Sequence, residues 1–328
     1  MSSKALITDY VWPNLDPERE VLEAAGIELV VAPDTDEETL AGLATDVDAI
    51  MFCFAKVPAS VLRAATKCRV AARYGIGVDN IDIAAATEQG IVVTNVPDYC
   101  IDEVADHALG MILALNRRLV PHSRAVSEGG WESVQLNQPM HRTRGATLGT
   151  IGYGRIGRAV AEKAAAFGMH ILTYDPMLEP GTQAGIAQAV TLDQVLAESD
   201  FISVHVPLTP ETHGMIGHDQ LSRMKQGSFI VNCARGGLID EHALADALAS
   251  GHLAGAGLDV VDPTPPSPDH PLLKQENVII TPHTAFFSQA STLELEKRTA
   301  REVARVLNGE RPENLINPDV LGRSRAGI

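Results

Sequence analysis

Positive charge is scarce in this chain. Its 328 residues carry 26 lysines and arginines against 42 aspartates and glutamates, giving a net charge of −16 and a pI near 5.0. Nucleic-acid surfaces need basic stripes, so a nucleic-acid partner is not expected. Cysteine is equally sparse: Cys53, Cys68, Cys100 and Cys233 lie far apart with no CxxC pair. They read as reduced thiols rather than a disulfide framework or zinc site. Long apolar runs are missing too. The start, MSSKAL, lacks a signal-peptide core, and no run reaches the length of a membrane span. The expectation is a cytoplasmic protein with no membrane partner. No HExxH and no tight His/Cys cluster occurs, so no metal is expected, and His213 and His218 read as loop residues.

What is present suits an α/β protein of two domains. Apolar residues make up 45% of the chain and glycines number 27. Over the first hundred residues, apolar runs at Ala5–Thr8, Ile27–Val31, Ala49–Phe54, Val70–Arg73 and Ile91–Thr94 alternate with helix-like segments near Pro17–Ala25, Glu37–Ala44, Pro58–Ala65 and Ile83–Gln89. Strand–helix alternation predicts a parallel sheet covered on both faces. Asp102–Arg118 is expected to be a helix, continued over Pro121–Trp131. Further strands are expected at Phe201–His205, Ser228–Asn232, Gly255–Leu258 and Val278–Thr281, and a long amphipathic helix at Ser288–Leu307.

The clearest motif is TLGTIGYGRIGRAVAEKAAAFGMHILTYD, residues 147–175. An apolar run leads into Gly152-Tyr153-Gly154-Arg155-Ile156-Gly157, then a helix-period segment, then a second apolar run ending in Asp175. Strand, glycine turn, helix, strand and terminal acid form a dinucleotide-binding unit. Gly152 permits the turn, Gly154 lets the backbone approach a pyrophosphate, and Gly157 lets helix pack on strand. The helix N-terminus offers N–H groups and a positive dipole end to the phosphates. A carboxylate at Asp175 suits ribose hydroxyls and repels a 2′-phosphate, and no Lys or Arg lies between Pro176 and Thr182. NAD is therefore the expected cofactor.

Other candidate residues cluster at strand ends, where open α/β sheets bind ligands. In Arg73-Tyr74-Gly75-Ile76-Gly77, two glycines would let backbone N–H groups turn toward a carboxylate. Lys56, after the third strand, can reach the same edge. Phe52 and Cys53 supply no arginine for a substrate phosphate, which disfavours phosphoglycerate. Arg235 follows a strand in VNCARGG and can grip a substrate carboxylate with both arms. Asp259 ends GAGLD, placed to touch a nicotinamide amide. His283 follows IITPH and can exchange the proton that accompanies hydride transfer. Taken singly, these also admit a surface ion pair, a helix cap and a core imidazole. Their common place beside a dinucleotide site favours chemistry.

RYGIGVDNID, the fingerprint with Asp175, NCARGGLIDE, AGLDVVDPTPPSPDHPL and ITPHTAFFSQAS together resemble the D-isomer-specific 2-hydroxyacid dehydrogenases nearly end to end. The stretch PHTAFFSQAS and the helix after it look most like the C-terminal-binding-protein branch, known as corepressors. The resemblance implies two doubly wound parallel-sheet domains. A Rossmann NAD-binding domain (102–287) is inserted into a flavodoxin-like substrate domain (1–101 plus 288–328), with the cleft between them and usually a homodimer. It implies that Arg235 holds the carboxylate of a 2-hydroxy or 2-oxo acid and His283 is the acid/base. Tyr74, Gly75, Ile76 and Gly77 would bind substrate; Arg155, Ile156, Asp175, Val206, Cys233, Ala234 and Asp259, together with Arg235 and His283, would contact the cofactor.

One position departs from the family. Where relatives carry a glutamate that hydrogen-bonds the histidine, this chain has Thr264. A threonine can orient His283 but cannot stabilise its protonated form, so reduction is expected to favour lower pH than in glutamate-bearing relatives. Asp262, two residues before Thr264, is the nearest carboxylate that could substitute. Formate dehydrogenases of the family carry an uncharged glutamine here, although their loops do not match elsewhere. Two expectations follow: an NAD-dependent oxidoreductase of small 2-hydroxy acids, or an NAD(H)-sensing, corepressor-like binding protein with weak catalysis.

Overall fold

Runs of alanine and β-branched residues, buried on both sides, build the sheets, as parallel strands covered by helices require. The computed structural model describes residues 2–131 and 140–328. The chain divides into two units, Met1–Tyr99 with Ser288–Ile328, and Cys100–Phe287.

The first unit runs β1 (Ser3–Ile7), α1 (Asp16–Ala24), β2 (Ile27–Val31), α2 (Glu37–Ala44), β3 (Ala49–Phe52), α3 (Ala59–Ala64), β4 (Val70–Arg73), α4 (Ile83–Glu88) and β5 (Val92–Thr94). Its five strands are all parallel, in the order β2-β1-β3-β4-β5. This is the flavodoxin-like order, with a switch point between β1 and β3. β3 and β4 are buried throughout. Leu6, Ile50, Phe52, Val61, Leu62, Ala71 and Val93 pack one face of the sheet.

The second unit contains α5 (Ile101–Asn116), α6 (Leu119–Ser127), β6 (Thr147–Ile151), α7 (Arg155–Ala166), β7 (His170–Tyr174), β8 (Gln183–Ala184), β9 (Ala187–Ala189), α8 (Leu192–Glu198), β10 (Phe201–Val204), α9 (His218–Arg223), β11 (Phe229–Asn232), α10 (Glu241–Ala249), β12 (Gly255–Leu258) and β13 (Val278–Ile280). The sheet order is β13-β12-β11-β10-β6-β7-β9-β8, with only β8 antiparallel. Leaving β8 aside, this is the doubly wound dinucleotide order with β13 added beyond the sixth strand. Local chemistry fixes the helix starts. Thr191 and Gln194 form a capping box before α8, and the Asp240 carboxylate accepts from the His242 and Ala243 N–H groups before α10.

Two details depart from the sequence expectations. The helix expected across Pro121–Trp131 starts at Leu119, because Arg118 takes a left-handed conformation (φ 52°) and breaks the chain after α5. The β8–β9 hairpin was not expected; two- and three-residue strands rich in alanine leave no periodic signal. In the first unit the final helix, α11 (Gln289–Leu307), is capped by Ser288, whose hydroxyl accepts from the Ser291 N–H. It packs against α1 and β4.

Candidate active site

The fingerprint is built from contacts that only glycine allows. Gly152 follows β6 with φ at +96°, and a Cβ there would lie 2.7 Å from the His205 carbonyl carbon. A Cβ on Gly157 would lie 2.2 Å from the Gly152 carbonyl oxygen, so α7 can sit this close to the turn only without a side chain. Gly154, the residue preceding α7, meets nothing within 4 Å. Its surroundings are open where a pyrophosphate would approach. Asp175, just past β7, accepts from the Tyr153 N–H at 2.8 Å and the Met177 N–H at 2.9 Å, which ties the end of β7 to the turn. Val206 is buried beside Gly152. His205 pairs with the Ser203 hydroxyl at 2.8 Å, and burial pushes its imidazole down to about 4, so it stays neutral at physiological pH.

Three adjacent strands then deliver polar residues to the same carboxyl edge: Arg235 after β11, Asp259 after β12 and His283 after β13. Arg235 is extended, and its guanidinium donates to the Ala234 carbonyl at 2.7 Å. The Asn232 side chain braces the loop, donating to the Arg235 carbonyl and accepting from the Ala234 N–H. Gly236 is pressed against the backbone of Val261, where a Cβ would come within 2.4 Å of the carbonyl carbon. The Arg235 loop is thereby fixed against the loop after β12. Cys233 lies in the same loop, and burial pushes its thiol well above the usual range, which disfavours the thiolate.

Asp259 is 1% exposed, and its carboxylate organises the histidine loop. It accepts from the Thr281 hydroxyl (2.5 Å) and from the N–H groups of Thr284 (2.9 Å) and Ala285 (2.9 Å). The His107 ring joins from α5, 2.9 Å from the Thr281 hydroxyl. These bonds hold His283 at φ 54°, a left-handed backbone that costs energy in any residue with a Cβ. No local pattern marks His107 for this contact, since its partner is 174 residues away.

Thr264 donates to the Val261 carbonyl at 2.6 Å, which uses its single proton within its own turn. It can face a histidine only as an acceptor. Glu241, from α10, clamps the two ends of the same loop: one oxygen accepts from the Asp262 N–H at 2.9 Å, and the other lies 2.8 Å from His270 Nε2. Burial pushes the Glu241 carboxyl up to about 7.

In the first unit, the turn after β4 has a different geometry from the one expected. The Tyr74 side chain is buried, its hydroxyl 3.2 Å from Glu18 and its ring edge-on to Trp12. The Gly75 N–H is taken by the Arg73 carbonyl at 3.0 Å. Ile76 and Gly77, the next two residues of the turn, are partly exposed. Among the described residues, no group of three or more His, Cys, Asp or Glu could hold a metal, and no helix is long and apolar enough to cross a membrane.

A glycine-turn dinucleotide unit with polar residues on neighbouring strand ends is the arrangement of a nucleotide-dependent α/β oxidoreductase. Residues 109–285 match the family model of the D-isomer specific 2-hydroxyacid dehydrogenase NAD binding domain. A glyoxylate reductase of Korarchaeum cryptofilum is 43% identical over 81% of this chain and 81% of its own length. A D-3-phosphoglycerate dehydrogenase of Methanocaldococcus jannaschii is 40% identical over 99% of this chain, which spans only 61% of that protein. The solved NAD complex of a Staphylococcus aureus formate dehydrogenase superposes with a TM-score of 0.86 at 30% identity, covering 96% of this chain and 98% of that one. The chain belongs to the D-isomer-specific 2-hydroxyacid dehydrogenases, a family of NAD-dependent enzymes. These relatives do not single out the C-terminal-binding-protein branch.

Proposed function

We propose that the protein interconverts a small D-2-hydroxy acid and its 2-oxo acid, with Arg235 holding the carboxylate and His283 exchanging the proton. The observation that carries this reading is the delivery of Arg235, Asp259 and His283 by the three adjacent strands β11, β12 and β13. The fingerprint fits NAD: Gly154 is open, Gly157 abuts the turn and Asp175 ends β7. Gly152, Gly154, Arg155, Ile156, Gly157, Asp175, Val206, Cys233, Ala234 and Asp259 would hold the cofactor, which supplies or accepts the hydride. In reduction, the Arg235 fork neutralises the carboxylate and draws electron density from the adjacent carbonyl. The His283 imidazolium gives its proton to the carbonyl oxygen; in oxidation the neutral ring takes it back. The N–H groups of Ile76 and Gly77 add donors for the substrate carboxylate. Cys100–Phe287 would be the NAD-binding domain and the other unit the substrate domain.

The test is a panel of 2-oxo acids with NADH, followed by absorbance. Turnover is expected, with His283→Ala lowering kcat by about 100-fold or more and Arg235→Ala acting mainly on KM. Tight NADH binding without turnover of any acid would refute the enzyme reading. It would favour instead an NAD(H)-sensing binding protein, a reading that draws on Thr264 spending its proton on Val261.

A homodimer is part of the proposal. Helix α6 buries none of its residues and exposes Leu119, Val120 and Val126 at 57%, 46% and 50%. A groove of about 500 Å³ beside it is lined by Arg118, His122, Leu273 and Ile280, among others. Sedimentation should give twice the 35.0 kDa chain mass.

A further inference from the structure

In the first unit, β1, β3 and β4 are neighbours, so the loops after them share one carboxyl edge. The loop after β3 presents three successive N–H groups, and all three point at one carboxylate. Asp9, two residues beyond the end of β1, accepts from Cys53 (2.9 Å), Phe54 (2.6 Å) and Ala55 (3.0 Å), and also from the Thr8 hydroxyl at 2.8 Å. Successive N–H groups converging in this way form an anion-binding nest. Here the chain fills its nest with its own charge. On the other side, the Asn80 amide donates to the Cys53 carbonyl at 3.0 Å and the Ala55 carbonyl at 2.8 Å.

These bonds use up most of what the loop could offer a polar ligand. Cys53 and Ala55 are buried, whereas Phe54 keeps 39% of its surface exposed. After β1 the chain exposes Tyr10 (38%) and Val11 (57%). Arg73 is almost fully buried; it stacks over Phe52 at 6.0 Å and donates to the Tyr74 carbonyl. Lys56 is the only exposed cation in the loop.

We propose that this edge selects a 2-oxo acid with an apolar side chain and no second anionic group, with Asp9 as the residue that sets the selection. This rests on the reading above that the neighbouring turn Tyr74–Gly77 receives the substrate carboxylate. A distal phosphate or carboxylate would find no free N–H donor in the nest and would meet the Asp9 charge. A branched or aromatic side chain would instead gain apolar area against Phe54, Tyr10 and Val11. Each buried methylene gives a gain of roughly fourfold in binding.

The test compares kcat/KM of the full chain, with NADH, for 4-methyl-2-oxopentanoate, phenylpyruvate, glyoxylate, oxaloacetate and 3-phosphohydroxypyruvate. The expected result is at least a tenfold preference for the first two over the last two, with glyoxylate between. Asp9→Asn should shrink that preference at least threefold. Phe54→Ala should lower kcat/KM for 4-methyl-2-oxopentanoate at least five times more than for glyoxylate. Both readouts are ratios within one enzyme, so a loss of folded protein cancels. Lys56→Ala should leave the order of the five acids as it is. Faster turnover of 3-phosphohydroxypyruvate, above all if Lys56→Ala abolishes it, overturns this proposal alone. Silence with all five acids while NADH still binds overturns the dehydrogenase reading and this proposal with it.

Discussion

Replacing Gly157 and Gly154 by alanine, one at a time, separates the two tasks that the fingerprint combines. At Gly157 the added methyl would lie 2.2 Å from the Gly152 carbonyl oxygen and 3.2 Å from its carbon. Real Cβ contacts essentially never fall below 3.0 Å, so α7 must retreat by roughly 1 Å from the turn after β6. The obstacle is backbone and no rotamer can relieve it. Overpacking of this kind costs about 1–3 kcal/mol, and a rigid obstacle puts it at the upper end. For a unit of this size, a loss of about 3 kcal/mol lowers Tm by roughly 6–12 °C. At Gly154 the methyl meets nothing within 4 Å and φ is −71°, which alanine accepts. Gly154→Ala should therefore change stability by less than about 0.5 kcal/mol. Its methyl would stand where the pyrophosphate must approach, so NADH affinity should fall at least about tenfold, or 1.4 kcal/mol. Differential scanning fluorimetry and NADH fluorescence titration on both variants give the answer. A Gly157→Ala protein that melts with the parent, or a Gly154→Ala protein that binds NADH equally well, would refute the reasoning.

Three further outcomes are expected. Thr264→Glu would place a carboxylate where Thr264 now donates to Val261, and should extend reductase activity about one unit toward higher pH; an unmoved pH profile would count against an electrostatic link between this position and His283. Asp175→Ala removes both the expected ribose acceptor and the bond to the Tyr153 N–H, so NADH should bind about 5–30-fold more weakly and its margin over NADPH should narrow, as isothermal titration would show. Burial and, secondarily, the charge of Glu18 push Glu296 up to about 7. A carboxyl raised above its unfolded value of 4.5 stabilises the fold fully below pH 4.5, and this contribution is lost as pH rises through about 7. Solvent screening of this carboxyl keeps the amount at no more than about 3 kcal/mol. Glu296→Gln, permanently neutral, should match the parent at pH 5 and melt higher at pH 8; parallel melting curves would contradict this.

Much of the architecture was legible in the chain because its signals are local. Alternating apolar runs and helix periods located all five strands of the first unit to within two residues. Gly152, Gly154, Gly157 and Asp175 lie within one strand–turn–helix–strand unit, so spacing alone identified the dinucleotide motif. Arg235, Asp259 and His283 stood out because each closes an apolar run.

What the sequence could not show depends on partners far away along the chain. Asp9 fills a nest 44 to 46 residues further on, and nothing in its own neighbourhood marks it. The Asp259 carboxylate is committed to Thr281, Thr284 and Ala285, a role visible only once β12 and β13 lie side by side. In the turn after β4, the Gly75 N–H is taken by the Arg73 carbonyl, which glycine spacing alone does not reveal. The physical reason is the same in each case. Periodicity and glycine spacing constrain the backbone over a few residues, whereas the partner of a buried polar group is chosen by whichever donors the folded sheet brings within 3 Å.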